Sequence, residues 1–71
     1  MEKINAEILQ RISISDNEWN VQLIPTNEGI KDLISVGFDV LKTETDENII
    51  NTSKSLIYDS LTDEQKENYE I

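Results

Sequence analysis

The chain has 71 residues, 15 acidic and 6 basic, for a formal net charge of −9, and it contains neither cysteine nor histidine. That composition excludes thiolate and imidazole catalysis, disulfide stapling and the usual zinc sites, and a chain this short is expected to form one small acidic domain, residues 1–71, with a small core. The same charge disfavours direct contact with nucleic acid or anionic membrane and favours basic protein surfaces, among them the phosphate-binding grooves of nucleic-acid enzymes.

Met1, Glu2 and Lys3 lead into no apolar signal segment, and no run approaches the ~18 apolar residues of a membrane span. The expected location is therefore cytoplasmic, in a bacterial host cell: 11 isoleucines and 7 asparagines fit an AT-rich coding genome such as those of low-GC bacteria and their phages.

In chain order, Ile4, Ala6 and Ile8 alternate as in a strand, while Ile4, Ile8, Leu9 and Ile12 also fit a helical stripe; extension is the preferred reading of residues 2–10. From Arg11 to Leu23 the period is two. Ile12 and Ile14, then Trp19, Val21 and Leu23, flank Asp16 and Asn17, residues that tolerate a positive φ. A two-residue hairpin turn there pairs Ile14 with Trp19, Ile12 with Val21 and Gln10 with Leu23, and puts every large apolar group on one face. Ser15 and Glu18 also form a capping-box pattern, but the Trp19–Leu23 alternation argues against a helix.

Pro25 closes the hairpin. Beyond it Thr26 or Asn27 can cap a helix, and Ile30, Leu33, Ile34, Gly37, Phe38 and Leu41 recur at helical spacing, with Val36 and Val40 widening the apolar arc to about 200°. A second helix begins at Thr45 or Asp46 and buries Ile49, Ile50, Leu56, Ile57 and Leu61, with Ser53 and Ser60 as small residues on the same arc, opposite Gly37 of the first helix. Thr62 and Gln65 spell a capping box for a short final helix ending near Tyr69. The predicted fold is α+β: an N-terminal antiparallel β-hairpin packed on two antiparallel helices plus a short C-terminal helix.

Apparent motifs give way to structural readings. Asp59-Ser60-Leu61 is similar to the triplet that carries the phosphopantetheine serine of acyl carrier proteins, and those proteins are also small and acidic. There, however, the triplet opens a central helix of an all-helical bundle; here it lies near the C-terminus behind a hairpin, so Ser60 is expected to be a buried small residue. Asn51-Thr52-Ser53 fits the glycosylation sequon without the export signal that chemistry requires. Glu44, Asp46 and Glu47 lack the spacing of a calcium loop and read as carboxylates complementing a helix dipole. With no selected carboxylate pair, no glycine-rich loop and too few apolar residues to wall a dry pocket, neither enzyme activity nor a cofactor or metal is expected.

What remains is charge and its location. Residues 43–71 hold 8 acids and 2 lysines, net −6, whereas residues 1–42 hold 7 acids and 4 bases, net −3. The candidate partner-binding residues are Glu44, Asp46, Glu47, Tyr58, Asp59, Asp63, Glu64, Glu67 and Glu70. Tyr58 falls opposite the buried arc and is expected to be exposed among Glu47, Asn51, Lys54 and Ser55; packing beneath the final helix is its second placement. In size and charge the chain is similar in general character to phage-encoded nucleic-acid mimics and anti-defence proteins. That resemblance implies a small inhibitor occupying the basic groove of a nucleic-acid-handling protein. The alternative is an obligate homodimer or immunity-type partner held by apolar contacts at the hairpin, through Leu9 and Ile24.

Overall fold

A computed structural model describes residues 1–71. The elements run β1 (Glu2–Lys3), β2 (Ala6–Ser13), β3 (Glu18–Pro25), β4 (Val36–Leu41), α1 (Asp46–Ser60), α2 (Asp63–Lys66) and β5 (Tyr69–Glu70). β2, β3 and β4 form a 3-stranded antiparallel sheet in sequential order, and β1 pairs with β5 in parallel, Glu2 opposite Tyr69 and Lys3 opposite Glu70. The chain is α+β as expected, with the N-terminal segment extended. The two antiparallel helices of the predicted fold are not present: one long helix, α1, lies across all strands of the larger sheet.

The predicted first helix is instead a turn followed by β4. Asn27 opens the turn, its carbonyl accepting from the N–H groups of Ile30 (3.1 Å) and Lys31 (2.9 Å), and the chain then extends. Two periods are superimposed in this segment. The helical reading drew on Leu33, Gly37 and Leu41, yet Leu33 and Leu41 are 65% and 58% exposed. The alternation Val36, Phe38, Val40 is the period that packs against the core, and β-branched residues at both its ends favour a pleated strand. Gly37 is explained by the sheet rather than by helix packing: a Cβ there would sit 2.5 Å from the side-chain nitrogen of Gln22 on the neighbouring strand.

The hairpin forms, in a different register. Ser13 pairs with Trp19, Ile12 with Asn20, Arg11 with Val21 and Gln10 with Gln22; the ladder then shifts at Leu9, so that Ile8 pairs with Leu23. The two-residue turn demanded positive φ at its centre, and no residue of the chain has one. The connection is longer, with the Ile14 N–H donating to the Glu18 carbonyl at 3.1 Å and Ser15 Oγ accepting from the Asn17 N–H at 3.3 Å. One residue of slip transfers Ile12 and Ile14 to the face opposite Trp19, Val21 and Leu23. The bulge at Leu9 reverses the slip in time to put Ala6 and Ile8 back on the core side.

α1 forms where the sequence places it. Thr45 Oγ1 accepts from the Asn48 N–H, Asp46 and Glu47 occupy the first turn, and the helix stops as Leu61 turns extended with its N–H on the Tyr58 carbonyl. Ile49, Ser53 and Ile57 are its buried stripe, while Leu56 and Ser60 lie outside it. The expected burial of Ser60 is thus corrected: it is exposed, its hydroxyl donating to the Leu56 carbonyl at 2.9 Å. The Thr62–Gln65 capping box is complete in both directions, and α2 spans 4 residues before the chain turns into β5.

Apolar burial is divided between two clusters. Val21, Leu23 and Ile49 form the seam between sheet and α1, flanked by Trp19, Phe38, Val40 and Ile50. Ile4, Ile30, Ile57, Leu61 and Tyr69 form the other, drawing on both termini, the turn after β3 and the end of α1. Asn27, 7% exposed, ties this second cluster together: it donates to the Lys3 carbonyl (2.8 Å) and Glu2 carboxylate (2.5 Å) and accepts from the Asn5 N–H (2.8 Å). No helix is long and apolar enough to cross a membrane.

Candidate functional site

The nine residues singled out by sequence do not converge on one surface. Glu44, Asp46 and Glu47 lie at the start of α1, and Asp59 lies in its last turn. At 1.5 Å of rise per residue, Glu47 and Asp59 are about 18 Å apart along the axis. The structure therefore splits the acidic half into two groups.

The group at the start of α1 is largely engaged. Asp46 pairs with the Arg11 guanidinium, which also stands 5.2 Å from the centre of the Trp19 ring. Glu44 accepts from the Thr45 N–H (3.1 Å) and the Asn48 amide (2.8 Å) and so acts as part of the cap. Glu47 is exposed and unpaired.

The group at the other end is freer. Asp59, Asp63, Glu64 and Glu67 are exposed, and Glu70 is half-buried in β5 with its carbonyl accepting from the Ile4 N–H at 2.8 Å. Asp63 and Glu64 suit the dipole at the start of α2. Asp59 does not have that explanation, because it sits at the negative end of α1, where the last turn contains no basic residue. Tyr58 takes the second of its placements: it is half-buried against the Ile57–Tyr69 cluster, and the Lys66 ammonium lies 5.4 Å from its ring centre. It is an anchor for α2 more than a projecting contact.

Of a second surface, the sheet face turned away from α1, sequence reasoning saw only the hairpin part, through Leu9 and Ile24. The register places Gln10, Ile12, Asn20, Gln22, Ile24, Gly37, Asp39 and Leu41 on it. Along its centre Gln22 donates to Asn20 (2.8 Å) and Asn20 to Asp39 (2.9 Å), a polar ladder laid flat over Gly37. Ile12 and Leu41 flank it, 50% and 58% exposed. Ile24 is half-buried here, at the edge of a shallow depression of about 230 Å³ that Lys31, Asp32, Leu33, Ile34 and Ser35 complete. Leu9 is exposed at the bulge. The signal for this face was the exposed alternation of β4, hidden while that segment read as a helix.

Chemically, the arrangement offers carboxylates and amides on rigid elements and no enclosed cavity, and no three acidic side chains converge as a metal-ligand set. No protein-family model, curated protein or solved structure matches this chain.

Proposed function

We propose that the chain is a non-enzymatic protein-binding module, a small acidic inhibitor that occupies the basic groove of a nucleic-acid-handling protein, in the manner of a phage anti-defence protein or nucleic-acid mimic. One observation carries the reading. Of the 15 acids, only Asp46 and Glu28 have a cation within salt-bridge distance, which leaves 13 without an ion-pair partner. The net charge of −9 exceeds the magnitude of about 2–8 that keeps a small domain soluble. Such a field steers association with a basic partner and raises the encounter rate. Asp59 adds to the case, since its position opposes the helix dipole and adds nothing to helix stability.

The test is capture of host proteins on the immobilised chain at low and high salt, with mass spectrometry of the eluates and DNA as competitor. The inhibitor reading expects a nucleic-acid-handling partner, released by salt and displaced by DNA. Conversion of Asp63, Glu64, Glu67 and Glu70 to the corresponding amides should leave the fold intact and weaken capture at least tenfold, about 1.4 kcal/mol. Capture that ignores salt, DNA and the amide variant sinks it. A second reading, the homodimer, is favoured by the exposed Ile12 and Leu41 on the open face and Ile14 beside it, and sizing of the protein alone decides it.

A further inference from the structure

The two outer edges of the larger sheet are unlike each other. β2 is blunted by the bulge at Leu9 and by Arg11, whose charge is fixed by Asp46 and Trp19. Both devices are ones that proteins use to keep an edge from pairing. β4, Val36–Leu41, has neither bulge nor proline nor lysine.

Bond parity shows what β4 presents. The Lys42 N–H donates to the Asn17 carbonyl at 2.8 Å, which makes Val40–Trp19, Phe38–Val21 and Val36–Leu23 the hydrogen-bonded pairs of the ladder. The N–H groups of Gly37, Asp39 and Leu41 consequently point outward, as do their carbonyls. The Leu41 carbonyl is taken by the Glu44 N–H at 3.0 Å, and no turn or loop supplies a partner to Gly37 or Asp39.

The side chains along this edge specify an occupant. Asp39 stands on the open face, with Asp32 and Glu44 in the flanking turns, and none of these has an ion-pair partner. Lys31, next to Asp32 in sequence, is paired with Glu28, and Lys42, the cation nearest Asp39 in sequence, turns back across the sheet to donate to Ser13 Oγ at 2.7 Å. On the opposite face Val36, Phe38 and Val40 pack against the Val21–Leu23–Ile49 cluster but are only half-buried, which leaves an accessible apolar rim along the edge.

We propose that β4 is a docking strand: an extended segment of a partner protein adds to its free edge, with lysine or arginine on the side facing Asp39 and apolar residues alternating on the side facing Val36, Phe38 and Val40. Main-chain bonds to Gly37, Asp39 and Leu41 supply affinity, and the alternation supplies selectivity. This rests on the basic-partner reading above and names the way such a partner engages. A second copy fits the edge less well, because each chain has a net charge of −9 and Asp39 would gain no counter-charge.

The probe is a short, capped peptide alternating lysine with valine, with a glutamate–valine peptide as control, followed by amide exchange and chemical shifts of the whole protein. Binding of the lysine peptide should slow exchange at Gly37 and Asp39 and shift signals from Val36 to Leu41, while the glutamate peptide does nothing. Asp39→Pro removes one outward N–H and no main-chain bond to β3, and should weaken binding about tenfold or more; Asp39→Asn, which also loses the carboxylate but keeps that N–H, should weaken it only a few-fold. N-methylation of the peptide amides on one edge should abolish binding and needs no change to the protein. Lysine-peptide binding that shifts only the α1 and α2 acids and ignores Asp39→Pro overturns edge docking and leaves the acidic-partner reading standing. Failure of the lysine peptide to bind at low salt overturns docking at β4, and the capture experiment then judges the acidic reading separately. Protection of Gly37 and Asp39 that grows with protein concentration, without peptide, also overturns it by naming a second copy as the occupant.

Discussion

One end of this 41 Å long molecule is closed and the other is open. At the closed end both termini meet: β1 pairs with β5, Asn27 clamps the strand entering the sheet, and Ile4, Ile30, Ile57, Leu61 and Tyr69 are each 9% exposed or less. At the open end every residue from Leu9 to Glu18 is exposed, including Leu9, Ile12 and Ile14. A chain of this size has too little apolar material to bury both ends. It concentrates core at the end where the termini need fixing and leaves the hairpin tip, the open sheet face and the β4 edge available. Buried packing and the exposed hairpin are therefore separated along the long axis, with the acids of α2 and β5 standing over the closed end, and substitutions at the two ends should differ sharply in cost.

The largest effect is expected at Ile57, which is fully buried in α1 and packs with residues from both termini. Ile57→Ala should cost about 2–5 kcal/mol, against a total of about 4–11 kcal/mol at the usual stability per residue. Urea unfolding measures the loss, and a cost under about 1 kcal/mol would break the division between ends. A smaller loss is expected at Asn27. Asn27→Ala removes the acceptor for the Asn5 N–H and the donor to Lys3 and Glu2, worth about 1–3 kcal/mol. Asn27→Asp keeps the acceptor but sets a carboxylate against the Glu2 carboxylate and the Lys3 carbonyl, so at neutral pH it should be worse than alanine. If aspartate proves the milder change, the clamp depends on the Asn5 contact alone.

The legibility of these features follows the range of the interactions behind them. α1 and α2 were readable because Thr45, Thr62 and Gln65 write their caps within three residues of the helix start. The strands of the hairpin were readable for the same reason, but the register was not. It depends on a loop that avoids positive φ and on a bulge at Leu9, neither of which alternation encodes. β4 was lost because Val36-Gly37-Phe38-Asp39-Val40 satisfies both periods, and the tie is broken by contacts with Gln22 and α1, far away in sequence. The 200° apolar arc was itself the warning, since a helix apolar on so much of its surface needs more partners than this chain can provide. Asn27 was legible only as a local cap; its clamp role could not be found by pattern, the partners being 22 to 25 residues away. The acidic residues were legible as a count and not as a place, because α1 separates their two groups by its own length.

The smallest effect is expected at the open end, and it tests the register as well as the comparison. Ile12 and Ile14 are 50% and 48% exposed, on the face opposite Trp19, Val21 and Leu23. In the register that alternation alone suggests, both would lie on the core face beside Trp19 and Val21, and replacing either by serine would cost several kcal/mol. In the register of the structure Ile12 stands opposite Asn20 of the polar ladder and Ile14 lies in the exposed connection beyond β2, so Ile12→Ser and Ile14→Ser should each change stability by no more than about 0.5 kcal/mol. Val21→Ser, one strand across and fully buried, serves as the internal contrast. Parallel urea titrations of the three variants therefore read the facing of the hairpin without a new structure: two flat results beside one steep loss hold the tip open, while a steep loss at Ile12 would return it to the core and remove the open face.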